Sequence, residues 1–134
     1  MLLILPVFLM VVFTIMEIGY VSFQLILLNH ATYEVARIGG MTFTPPPGET
    51  CGRLNEIMQQ ILPAASVSCS TEQHRFFDTQ VGPDYYNSDL IVTGRFAAKL
   101  IFPISSAILA KPRGSGTRQL IAVVRMPIEK PIPR

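Results

Sequence analysis

Met1 to Leu28 read MLLILPVFLMVVFTIMEIGYVSFQLILL, an apolar run with one ionisable side chain, Glu17, near its middle. Such a run exceeds the roughly 20 residues that a helix needs to cross a bilayer. It holds no Lys or Arg, and the first basic side chain is Arg37. An acid at the centre of such a helix costs about 2.5–3.5 kcal/mol on insertion scales unless a partner takes it. The segment is therefore either a membrane anchor carrying a functional acid or a helix that works packed against copies of itself.

A secretory signal would pair a basic n-region with a short apolar core and a small-residue cleavage site. This segment has no basic n-region, its apolar core is too long, and no A-x-A pattern follows. The helical pattern instead continues through Asn29-His30-Ala31-Thr32-Tyr33-Glu34-Val35-Ala36-Arg37. The segment is expected to be retained in the mature protein. The apolar share of 49% and the mean hydropathy of +0.40 are high for a soluble domain, and the excess lies in the first 38 residues. The 134 residues suffice for one small domain besides the helix. We expect a transmembrane or filament-core helix over 1–40 and an exposed globular head with a proline-rich tail over 41–134.

The net charge of +2 is unevenly placed. Residues 37–134 carry 11 basic and 7 acidic side chains, scattered without a cluster or aromatic interleaving. That pattern gives no footprint for a nucleic acid. Cys51 and Cys69 form an even pair in a chain with an export-type helix, which points to a disulfide outside the cytoplasm. No second Cys or His stands at zinc-ligand spacing.

Residues 1–38 read as one helix of about 57 Å, with Pro6 near its start, where proline is best tolerated. Its lower part is apolar all round, as burial in lipid or in a bundle requires. Ala31, Val35 and Ile38 then mark one side, and Gly39-Gly40 is placed to end the helix in a left-handed cap. Thr44 to Gly48 reads as a stiff extended linker. Residues 51–62 form a short second helix whose stripe of Leu54, Ile57, Met58, Ile61 and Leu62 is core, ended by Pro63.

Three strands are expected: a short one at Ser66–Ser70, one over Leu90–Phe102, and one marked by Leu120, Ala122, Val124 and Met126. The second puts Leu90, Val92, Gly94, Phe96, Ala98, Leu100 and Phe102 on one face and Thr93, Arg95 and Lys99 on the other, a half-buried antiparallel pattern. Residues 71–89 are polar, with a turn at Gly82-Pro83-Asp84. Residues 103–118 read as a long loop, and the tail from Met126 as proline-rich and extended. The fold class is α+β: a long apolar helix, a short helix and an antiparallel sheet of three or four strands.

No catalytic constellation is visible. Gly114-Ser115-Gly116-Thr117 lacks the spacing and the Lys of a phosphate loop. His30 and His74 have no catalytic or metal-ligating neighbours at the right spacing, and Asp78, Asp84 and Asp89 lack the glycine and closing Glu of a calcium loop. The expectation is a protein that is not an enzyme and takes no cofactor or metal. The sharpest candidate is Glu17. Gln24 lies about 20° from it around an ideal helix and Thr14 about 60°. The three make a thin polar stripe suited to pairing with a neighbouring subunit. Gly19 and Ser22 offer a small-residue surface for close approach, one residue short of the small-xxx-small spacing.

Leu5-Pro6, the apolar run and Met16-Glu17-Ile18-Gly19-Tyr20, followed by the helix end Asn29–Gly39, resemble the TadE-like proteins, pilin-like subunits of the tight-adherence (Tad) pilus. Ile91-Val92-Thr93 through Phe102-Pro103-Ile104 is similar to that family's strand closing on an aromatic-proline turn, and Leu120–Met126 to its last strand. The resemblance implies a pilin-like architecture and maturation by a prepilin peptidase in the inner membrane. The basic leader and cleavage-site glycine of family precursors are not among these residues. It further implies assembly through the N-terminal helix with copies of itself or other pilins, served by the pilus assembly machinery. Pro6, Thr14, Glu17, Gly19 and Gln24 would then form the helix core. The expected location is the inner membrane as precursor and then a filament on the cell surface, supporting attachment. The alternatives are a minor initiating pilin or a single-span envelope protein that does not polymerise.

Overall fold

The computed structural model describes residues 4–44, 47–76, 85–102, 110 and 115–129. Helix α1 spans Ile4–Met41 and helix α2 Pro47–Ile61; strands β1 (Ala65–Phe76), β2 (Tyr85–Lys99) and β3 (Thr117–Pro127) follow. The strands form one three-stranded antiparallel sheet in the order β1-β2-β3. This is the expected α+β layout.

Alternation along the strands puts every core side chain on one face. Cys69, Val92 and Val124 stand opposite one another, as do Val67, Gly94 and Ala122, and Ala65, Phe96 and Leu120. The helices cover this face. Leu28, Val35, Leu54, Met58, Leu90 and Val92 are sealed at its centre. The other face is solvated and carries an ion pair from Arg125 across to Glu72. Both side chains are about half exposed, so this pair contributes little to stability.

Several boundaries differ from the sequence expectation, each for a packing reason. Helix α1 does not stop at Gly39-Gly40; it runs through both to Met41. Neither glycine has a positive φ. They serve close approach instead: a Cβ at Gly39 would meet Leu54 and Leu90 at 2.7 Å, and one at Gly40 would meet the Pro127 carbonyl oxygen at 3.0 Å. Ile38 faces outward, and the buried side of this half is Ala31, Thr32, Val35, Ala36, Gly39 and Gly40. Helix α2 begins at Pro47, not at residue 51, because proline suits a first helical turn. Of its stripe, Leu54 and Met58 are buried and Ile57 and Leu62 half-buried, while Ile61 is exposed.

After α2 the Leu62 carbonyl accepts from the Ala65 N–H across Pro63-Ala64, and Ala64 takes a φ of 70°. Proline followed by a left-handed residue is the pattern of a type II turn. Strand β1 reaches Phe76, well past Ser70, because pairing with β2 carries its polar second half from Glu72↔Asp89 to Phe76↔Tyr85. Strand β2 correspondingly starts at Tyr85 and ends at Lys99. Thr117 and Arg118, expected in a loop, open β3. The turn at 82–84, residues 103–109 and the tail from Lys130 lie outside the described residues.

Gly94 fixes how closely α1 lies on the sheet. A Cβ there would collide with the Thr32 hydroxyl and touch Leu28 and Met58. Thr32 cannot easily yield, because it is buried and its hydroxyl donates to the Leu28 carbonyl at 2.7 Å. Gly94→Ala is expected to cost about 1–2 kcal/mol by overpacking. A chemical melt of the variant with an unchanged midpoint would show that the interface can open.

Candidate membrane-facing helix and assembly interface

Helix α1 and strand β2 lie side by side in opposite directions. Leu90 sits against Gly39, Gly94 against Leu28 and Thr32, and Ile101, just past β2, against Glu17. From Gly39 to Glu17 the helix rises about 33 Å; from Leu90 to Ile101 an extended chain covers about 36 Å. The two lengths match, so the head is laid along α1 as far down as Glu17.

The helix therefore has two regimes. Its upper part, from Leu28, buries one side on the sheet and α2. Below that, apolar side chains project outward nearly all round: Val7, Phe8, Ile15, Met16, Phe23 and Ile26 are each more than half exposed. Among the described residues α1 is the helix long and apolar enough to cross a membrane, and the most apolar stretch of it is almost entirely uncovered by the head.

Glu17 is the exception, at 2% exposed. Its Oε1 accepts from the Ile101 N–H at 2.6 Å and from the Phe102 N–H at 3.3 Å. One turn below, the Phe13 ring stacks on Phe102 with centroids 4.7 Å apart. The acid thus holds two backbone donors just past the end of β2. The amides belong to Glu17's own chain, whereas the polar-stripe reading looked to a neighbouring subunit.

The other members of the stripe do not converge on it. Thr14 donates to its own helix at the Met10 carbonyl, 2.7 Å away. Gln24 is half-buried toward the sheet, and its buried Oε1 has no hydrogen-bond partner among the described residues. Pro6 lies exposed in the first turns, and Gly19 is exposed with open space around it. Ser22 donates to the Ile18 carbonyl at 2.8 Å, so Gly19 and Ser22 leave a smooth outward surface. A shallow groove between α1 and β3 is lined by Ile18, Val21, Ser22, Leu25, Arg118 and Leu120.

Cys51 and Cys69 are joined as a disulfide, Cα to Cα 5.7 Å. The bond ties α2 to edge strand β1, and Asn55 Oδ1 accepts from the Val67 N–H at 2.9 Å beside it. Sequence reasoning missed Ile101 and Phe102, because a backbone amide leaves no trace in residue type. Phe13 was accessible to it: four residues before Glu17, it shares that face of the helix.

The model of the TadE-like protein family matches residues 1–37, most of α1. Neither the curated proteins nor the solved structures provide a match to the chain. The apolar helix that carries Glu17 is thus similar to the TadE-like proteins over residues 1–37.

Proposed function

We propose that this chain is a pilin-like structural subunit that enters the membrane through α1 and then assembles through that helix into a filament of the tight-adherence type. The observation that carries the reading is the apolar collar over Ile4–Leu27, left largely uncovered by the head and coincident with the TadE-like match. A surface of that kind needs either lipid or protein around it. Exchange of lipid contacts for contacts with neighbouring helices would move the subunit from bilayer to filament. Its partners are then copies of itself or other pilins, together with the assembly machinery of the inner membrane. The role is structural, with no catalysis and no cofactor, and the filament would support surface attachment.

Mass spectrometry of material sheared from the cell surface, set against the membrane fraction, tests the reading. The chain is expected to dominate the sheared filaments, and its N-terminal mass there locates the processing site. A chain found in the membrane fraction alone would overturn the main-subunit reading in favour of a minor initiating pilin or a single-span envelope protein.

A further inference from the structure

The docked head and the length of α1 together set a depth. The lowest described contact between them is Phe102 on Phe13. Below it, Ile4–Val12 amounts to about 14 Å of helix, half the roughly 30 Å of a bilayer core. From Ile4 to Tyr20 the helix measures about 26 Å. Tyr20 is an exposed aromatic of the kind that settles at the membrane–water boundary. With the boundary there, Phe13 and Glu17 lie within the hydrocarbon, and Ile101 and Phe102 beside them lie there too.

We propose that the tip of the head just past β2, Leu100–Phe102, is a second membrane-inserted element that dips into the lipid leaflet beside α1. This rests on α1 being a membrane span. Backbone at that depth must have its polar groups satisfied internally. Three successive N–H groups of the tip are: Leu100 donates to the Gly116 carbonyl at 2.8 Å, and Ile101 and Phe102 donate to Glu17. The side chains suit lipid as well. Ile101 is 66% exposed, an apolar group turned largely outward, and Phe102 lies on Phe13.

Charge marks the boundary at the same level. Lys99 is exposed two residues before Ile101, and Arg118 lines the groove beside Ile18 to Leu25. Cations there would meet lipid phosphates, as basic groups next to membrane spans do, with the apolar tip below them. Glu17 then acts as the cap that lets a piece of non-helical chain enter the leaflet.

The test uses the full chain in phosphatidylethanolamine–phosphatidylglycerol vesicles containing acyl-brominated lipid. Ile101→Cys, Ile15→Cys and Val123→Cys variants each carry a fluorophore on the introduced thiol, with Cys51 and Cys69 held in their disulfide. Ile15 reports the span and Val123 the solvated sheet face. Bromolipid quenching at 101 and 15 with loss of iodide quenching at both, and the reverse at 123, is the expected result. Quenching at 15 with position 101 open to iodide overturns the inserted tip and leaves the membrane span standing. A position 101 shielded from both quenchers means that a second copy covers it, which also overturns the proposal. No bromolipid quenching at 15 removes the span and the tip together. In the Ile101→Cys background, Glu17→Ala is expected to return position 101 to iodide; continued bromolipid quenching there would deny Glu17 its capping role.

Discussion

Glu17→Ala is expected to leave the sheet and the disulfide in place and to abolish incorporation into sheared filaments. The carboxyl group is buried on α1 and takes the Ile101 and Phe102 amides. Its removal takes their acceptor from two backbone donors, at a cost of about 2 kcal/mol, or roughly thirtyfold in the docked population. That is too little to unfold a head whose core is built around Leu28, Val35, Leu54 and Leu90. It is enough to release the head from the lower helix, whose register against neighbouring subunits assembly requires. Glu17→Gln separates two causes, since an amide oxygen can still accept from both N–H groups. Rescue by Gln assigns the role to hydrogen bonding; failure of Gln assigns it to the acid itself. Amide exchange at Ile101 and Phe102 reports the docking, and filament yield reports the assembly. A yield unchanged in Glu17→Ala would sink the assembly role.

The second large effect is loss of the Cys51–Cys69 bond. It closes a loop with a sequence separation of 18, for which chain entropy gives about 3 kcal/mol. In a head of this size that corresponds to a fall in Tm of about 12–24 °C. The bond pins α2 to β1 beside the hydrogen bond from the Val67 N–H to the Asn55 side chain. Cys69→Ser is expected to melt α2 and β1 first, with α1 still on β2 and β3. A melt of the native chain that does not move on addition of reductant would show that packing alone holds α2.

Leucines and valines at helical and alternating spacing made most of the fold legible. The period of 2 along β2 and β3 and the stripe led by Leu54 and Met58 announce which side chains meet, because burial acts on side chains and side chains are what a sequence spells. The cysteine pair was legible for the same reason. The ends of elements were not. Gly39 and Gly40 look like a helix stop, yet they lie inside α1 because the sheet and α2 need room there. The second half of β1 is polar and extends only because β2 offers it a ladder.

The sequence by itself determined that this chain has a membrane-length apolar helix, one acid within it and a small α+β head, since each follows from local composition and period. It also singled out Glu17 as the sharpest candidate for a partnered polar group. Only the tertiary structure decided who that partner is. The answer depends on the α1 rise from Glu17 to Gly39 equalling the extended length from Leu90 to Ile101. That match brings the Ile101 and Phe102 backbone amides to the acid. It is a relation between two elements far apart in the chain, written in neither of them.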